Sequence, residues 1–317
     1  MPDLMMSIEE NTGQIRLNRP QALNALTGAM IDGLFEQLTD WVDSPAVERV
    51  VISGQGRAFC AGADVRELRN IVLAGTADPV DFLCREYRLD QLIASYPKPL
   101  QMRLHGIVMG GGCGLSLHSQ DRQITADAAL GMPETIIGLW PDVGMLYELS
   151  RLPGEVGAYL ALTGLTVSGA EAYQLGLVDV LADDRDESGR PAGQLVQPSV
   201  PDRLDWCATT LAGDDIVAMV EALEGSGDPI CRASAAAIRQ RSPLSVATSL
   251  AALRRAKAMT LKEVFAQDLQ LGAFFLGQPD FVEGVRAQLI DRDHQPHWSY
   301  SALEELTPAN IAAAFGD

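Results

Sequence analysis

Pro99-Leu100-Gln101-Met102-Arg103-Leu104 and the downstream Met109-Gly110-Gly111-Gly112-Cys113-Gly114-Leu115-Ser116-Leu117-His118 decide the fold class. The first part reads as a strand, the glycines as a cluster after it, and Leu115, Leu117 and His118 as part of a helix. The same order occurs upstream. Val50-Val51-Ile52 is a short β-branched strand ending at Gly54, and a helical pattern covers about 64–96, interrupted near Ala77-Asp78-Pro79. Strands alternating with helices predict an α/β core. Further upstream, residues 4–18 read as a hairpin with Thr12-Gly13 as its turn. Thr27 then caps a helix that places Met30, Leu34, Leu38 and Trp41 on one face.

Beyond about residue 182 the character changes. Residues 183–201 are rich in Asp, Gly, Pro and Ser and read as a surface linker. Only helical patterns follow, at 202–224, 229–240, 243–257, 260–275 and from Pro279. The expected organisation is an α/β core over 1–182, a linker over 183–201 and an all-helical region over 202–317.

Composition narrows the function. Acidic side chains number 42 against 24 basic ones, a formal charge of −18, which disfavours nucleic acid and anionic membranes as partners. No apolar run reaches the roughly 18 residues of a membrane span, so a soluble protein is expected. Met1 to Glu10 has neither the pattern of a secretory signal nor that of an Arg-rich transit peptide. The five cysteines are scattered with no CxxC pair, which predicts reduced thiols and a cytoplasmic setting.

Three segments could carry chemistry. Arg57-Ala58-Phe59-Cys60-Ala61-Gly62-Ala63-Asp64 joins a strand to a helix, and its small residues let backbone N–H groups approach a ligand. Taken alone it reads first as a tight strand-to-helix turn, since such turns commonly need Gly. The glycines of 110–114 offer free backbone donors to an oxyanion or a phosphate. Leu115 stands where a dinucleotide fingerprint wants its third glycine, although Glu134 lies at the distance of that fold's acidic residue. The third segment runs from Met132-Pro133-Glu134-Thr135 to Gly138-Leu139-Trp140-Pro141-Asp142-Val143-Gly144. Two carboxylates in apolar surroundings, each after a proline, suit acid and base roles because burial and mutual repulsion separate their pKa values. Asp142 also fits a helix cap.

Other candidates are set aside. Cys60 and Cys113 flank the glycine turns without a recognisable histidine partner and read as packing residues. His294 and His297 have no further ligand nearby, so no metal is expected. His118 reads as a core histidine, and Ser116 lacks the second glycine of a nucleophile elbow.

Taken in order, Asn18-Arg19-Pro20, Asn24-Ala25-Leu26, Ala58-Phe59-Cys60-Ala61-Gly62-Ala63-Asp64 and the Gly110–Gly112 run resemble the crotonase (enoyl-CoA hydratase/isomerase) superfamily over about residues 8–182. The segments 109–118, 132–135, 138–144 and Leu162-Thr163-Gly164 are most similar to its 3-hydroxyisobutyryl-CoA hydrolase branch. Asp280-Phe281-Val282-Glu283-Gly284-Val285-Arg286-Ala287 and Leu289-Ile290-Asp291-Arg292-Asp293 carry that likeness into the helical region.

The resemblance implies a ClpP-like spiral of ββα units and an acyl-CoA substrate. It implies no separate cofactor, coenzyme A being part of the substrate, and allows a homo-oligomer. By matching position, the N–H groups of Ala63 and Gly111 form an oxyanion hole, Glu86, Gly111, Glu134 and Asp142 contact substrate, and Glu134 and Asp142 are the catalytic acids. Arg66, and less so Arg19, could offset the negative field near the CoA phosphates. Hydratases of the superfamily place a second glutamate where Gly114 stands, and glycine cannot activate water. That favours hydrolysis, first of 3-hydroxyisobutyryl-CoA as in valine catabolism. Met145-Leu146, where the branch continues with glycine, could reshape the acyl pocket. The alternatives are hydratase or isomerase chemistry on Glu134 alone, and a non-catalytic acyl-CoA-binding protein.

Overall fold

The computed structural model describes residues 2–182 and 200–316. The linker expected at 183–201 lies outside them, except that Val200 and Pro201 open a helix. The strands are β1 (Leu4–Glu9), β2 (Thr12–Leu17), β3 (Arg49–Gly54), β4 (Ala58–Cys60), β5 (Leu100–Leu104), β6 (Ile107–Met109), β7 (Asp121–Thr125), β8 (Ala129–Gly131), β9 (Thr166–Ser168) and β10 (Val180–Ala182). Helices α1 (Gly28–Val42), α2 (Val65–Ala74), α3 (Val80–Ala94), α4 (Gly111–Leu117), α5 (Met145–Leu149), α6 (Val156–Thr163) and α7 (Gly169–Gln174) lie between or among them. After these come α8 (Val200–Thr210), α9 (Ile216–Glu224), α10 (Pro229–Arg239), α11 (Pro243–Ala256), α12 (Leu261–Phe275), α13 (Pro279–Val285) and α14 (Pro308–Ala314).

Two sheets form, in the orders β1-β2-β3-β5-β7-β10 and β4-β6-β8-β9. The pairs β1–β2 and β8–β9 are antiparallel, and the other neighbours run parallel. Successive strands go to alternate sheets: β3 then β4, β5 then β6, β7 then β8. Helices follow the first two of these pairs, which is the expected spiral of ββα units.

The chain divides into two compact units that are each discontinuous in sequence. The first comprises Met1–Asp64, Arg85–Gly131 and Thr166–Val200, and it holds all the strands. The second comprises Val65–Cys84, Met132–Leu165 and Pro201–Asp317 and is helical in its described residues.

In the first unit α1 forms as its sequence predicts. Thr27 accepts from the Met30 amide, and Met30, Leu34, Leu38 and Trp41 are buried. The hairpin turn differs from expectation. It falls at Glu10-Asn11, whose φ values of 46° and 60° are left-handed, and Thr12-Gly13 begins β2 instead. Asparagine tolerates that conformation. Gly13 is needed for another reason, since a Cβ there would sit 2.5 Å from the Trp41 ring. Helices 202–224, expected as one, are two. Gly213 lies between them, and Asp215 caps α9 by accepting from the Val217 and Ala218 amides at 3.0 and 3.1 Å.

Lys98 closes the far end of α1. Its Nζ donates to the carbonyls of Trp41, Ser44 and Val47 at 2.5, 2.9 and 2.7 Å. These oxygens belong to the helix end and the loop beyond it, where intrahelical partners run out. Lys98→Met is expected to lower stability by about 2 kcal/mol, since each bond to a charged donor counts for more than a neutral one. The readout is a melting temperature about 5 °C lower; an unchanged value would show that water serves those carbonyls equally well.

Candidate active site

In the first unit the chain leaves β4 through Ala61 and Gly62, with Gly62 at φ 107°. Leu26 brackets the next residue: its N–H donates to the Gly62 carbonyl and its carbonyl accepts from the Asp64 amide, both at 2.8 Å. These bonds hold Ala63 through its neighbours and do not use its N–H group. Arg19 adds a tie by donating to the Ala25 carbonyl and to Asp64 at 2.5 and 3.2 Å. That is a structural role for Arg19.

The second donor comes from the glycine run. Gly111 is the first residue of α4, where amides lack an intrahelical acceptor. Gly110 before it takes φ 53°, and its N–H donates to the Gly131 carbonyl on β8. The structure brings Ala63 and Gly111 together. A Cβ built on Gly111 would lie 3.1 Å from the Ala63 nitrogen and inside contact distance of Glu86 Oε1. A Cβ on Gly62 would lie 3.3 Å from the Gly111 nitrogen. Two backbone donors and the Glu86 carboxyl thus share one small volume that only glycine leaves open.

Glu86 and Asp90 stand one turn apart on α3, each 1% exposed. Burial, and then the charges of Glu86 and Asp90, push the Cys60 thiol up to about 12 against the bond from Gly62. Such a thiol is no nucleophile. Treating the native protein with iodoacetamide at about pH 8 should leave Cys60 unmodified while the partly exposed Cys84 reacts. An adduct on Cys60 in the peptide mass spectrum would contradict this. Ser116 donates to the Gly112 carbonyl at 2.7 Å inside α4, as a helix serine does.

The second unit carries both acids of the third segment. Glu134, 7% exposed, opens a short 3₁₀ turn over Glu134–Ile137 that Pro133 starts and Gly138, at φ 76°, ends. The tail signature supports this turn. A Cβ on Gly284 would come within 2.5 to 2.6 Å of the Ile137 backbone, and one on Gly138 within 2.6 Å of the Asp280 backbone. Asp280, 1% exposed, accepts from Ser242 at 2.7 Å and from the amide and hydroxyl of Ser299 at 2.8 and 2.7 Å. The Ser242 amide in turn donates to the Thr135 carbonyl at 3.3 Å.

Asp142, 8% exposed, sits in the loop before α5. Its carbonyl accepts from the Met145 amide at 2.9 Å, and Val143 and Gly144 take φ values of 51° and 73°. Gly144 occupies the cap position of α5. Met145 and Leu146 are fully buried at the start of that helix. Arg66, in the first turn of α2, donates to the Leu289 carbonyl at 2.7 Å. Among the described residues no group of three His, Cys, Asp or Glu side chains is placed to hold a metal, and no helix is long and apolar enough to cross a membrane.

Sequence reading missed Asp268, Asp280 and Gly284 as parts of the site. Asp280 and Gly284 had a signal in the tail motif without a purpose attached. Asp268 had none, because a buried acid on an amphipathic helix looks like any other polar residue of that helix.

The description of the enoyl-CoA hydratase/isomerase family matches residues 12–189 and 187–315. The chain is 34% identical to the mitochondrial 3-hydroxyisobutyryl-CoA hydrolase of Gallus gallus, over 99% of this chain and 88% of that one. It is 33% identical to the Homo sapiens protein of the same name, over 95% and 85%. Among solved structures, an enoyl-CoA hydratase from Rhodobacter sphaeroides 2.4.1 superposes with a TM-score of 0.93 at 34% identity, covering 99% of this chain and 97% of that one. A carnitinyl-CoA dehydratase from Mycobacterium thermoresistibile gives 0.92 at 34% identity, covering 99% and 96%. The match runs through strands and helical tail alike, and the protein belongs to the enoyl-CoA hydratase/isomerase family, the crotonase superfamily.

Proposed function

We propose that this protein hydrolyses a short-chain 3-hydroxyacyl-CoA thioester, with 3-hydroxyisobutyryl-CoA the first candidate substrate. The observation that carries the reading is 33–34% identity, over nearly the whole chain, to hydrolases of that name. The chain's own residues support it: Glu134 and Asp142 are both present, while the place of a hydratase's second glutamate is a buried glycine, Gly114.

In this reading the thioester oxygen takes hydrogen bonds from the Ala63 and Gly111 amides. Each such donor aimed at the developing oxyanion is typically worth a few kcal/mol in the transition state. The Glu134 carboxylate either attacks the carbonyl carbon or takes a proton from a water that attacks it. In the first route a carboxyl–acyl bond forms, the C–S bond breaks, and water then cleaves the mixed anhydride. In both routes CoA leaves as a thiolate that gains a proton, and the acid is released. Asp142 orients the acyl hydroxyl or the water and helps to move that proton. Arg66 and Glu86 would complete the substrate contacts, with Arg66 countering the chain's formal charge of −18 near the CoA phosphates.

The solved relatives favour a second reading, hydration or dehydration at the acyl double bond with Glu134 as the single acid, because their names are a hydratase and a dehydratase. One assay separates the two. Purified protein mixed with 3-hydroxyisobutyryl-CoA should liberate free thiol, followed with a thiol-reactive dye. No thiol from this or related 3-hydroxyacyl-CoAs, together with loss of the enoyl absorbance from an enoyl-CoA, would replace the hydrolase reading with the second one.

A further inference from the structure

Asp268 is the one acid on the buried face of α12. Beside it on that face lie the apolar Val264, Phe265, Leu271 and Phe275, Gly272 and one neutral polar residue, Gln267, which donates to the Ala252 carbonyl; Asp268 itself is 0% exposed. A carboxyl in such a place costs stability unless its partners repay it. Its partners are specific. Oδ1 accepts from the Trp140 indole Nε1 and Oδ2 from the Gly144 amide, each at 2.9 Å. Those donors stand two residues before and two residues after Asp142. The Trp140 ring also stacks on Phe275 of the same helix, with centroids 5.3 Å apart and planes at 23°.

Between the two anchors the backbone is strained. Val143 is β-branched yet sits at φ 51°, a conformation that persists only when its surroundings enforce it. The Gly144 amide, the next along the chain, is the one held by Asp268.

We propose that Asp268 is a positioning residue, whose carboxyl fastens both ends of the Trp140–Gly144 loop and so fixes the orientation of Asp142 for catalysis. The proposal rests on the hydrolase reading for what Asp142 does, but the clamp itself does not. Burial pushes the Asp268 carboxyl well above the usual carboxylate range, and the Asp142 charge pushes it the same way, while the bonds from Trp140 and Gly144 pull it down. The two acids are therefore electrically coupled as well as mechanically linked.

The test uses the full-length protein and Asp268→Asn, a change of equal size that faces one of the two N–H donors with another N–H. The kcat for thiol release should fall about 100-fold, the loss expected for a catalytic group misplaced by about 1 Å. KM should change far less than kcat, because of the substrate contacts only Asp142 is disturbed. In ¹⁵N-labelled protein without substrate, the Trp140 indole N–H resonance, identified by its loss in Trp140→Phe, should move upfield while those of Trp41, Trp206 and Trp298 stay. Because the asparagine oxygen can still serve one donor, the Gly144 amide resonance is read beside the indole, and if neither moves the clamp is overturned. A moved resonance with wild-type kcat overturns positioning and leaves a structural bond. If the wild type releases no thiol from any CoA ester, the hydrolase reading falls and the resonance still decides the clamp. Should Asp268→Asn fail to fold, Trp140→Phe removes one donor and keeps the carboxyl; kcat should then drop about tenfold, and a wild-type value overturns the proposal.

Discussion

Glu134→Gln is expected to lower kcat for thioester hydrolysis by about 10³-fold, within the range for loss of a general base or carboxylate nucleophile. The amide matches the carboxylate in size and Glu134 is 7% exposed, so folding should survive. KM should change little, because the loss falls on the transition state. Stopped-flow thiol release beside circular dichroism would check both halves. A rate within about tenfold of wild type would remove Glu134 from the chemistry, since general base catalysis alone is typically worth 10²-fold or more.

The second large effect is Gly111→Ala. The amide remains, but the new methyl lands on Glu86 Oε1 and 3.1 Å from the Ala63 nitrogen. Either the glutamate or the α4 start must shift, and the two amides proposed to bind the oxyanion lose their aim. The expected loss in kcat is about 10²- to 10³-fold, the size seen when one such donor is removed. Gly227→Ala is the control, because nothing lies within 4 Å of a Cβ there. If Gly111→Ala keeps full activity, the donors of that turn are not the ones that bind the oxyanion.

The parts of the fold that the sequence announced are those whose cause is local. The buried stripe of α1, its Thr27 cap, the β-branched β3 and the break before Pro79 each follow from a few neighbouring residues. The hairpin turn was misplaced because Gly13 looks like a turn residue, while its reason for being glycine is the distant Trp41 ring. The same holds at the site. Glu134 and Asp142 showed themselves as acids in apolar company, and Ala63 and Gly111 through the family resemblance. Asp268 serves residues 128 and 124 positions away, and no periodicity encodes a bond of that reach.

All the strands belong to one unit, and the other is assembled from three separated stretches of chain. The supports of the Glu134 turn come late: Gly138 leans on Asp280, Ile137 on Gly284, and Asp280 is itself held by Ser299. Synthesis proceeds from the N-terminus at about 5–20 residues per second, and domains fold as they become complete. A nascent chain can therefore have made every described strand and the paired turns of Ala63 and Gly111 while the Glu134 turn still lacks its last supports. The Glu134 turn, on this account, is the last part of the protein to be completed, and a chain stopped short of Ser299 would carry the sheets without it.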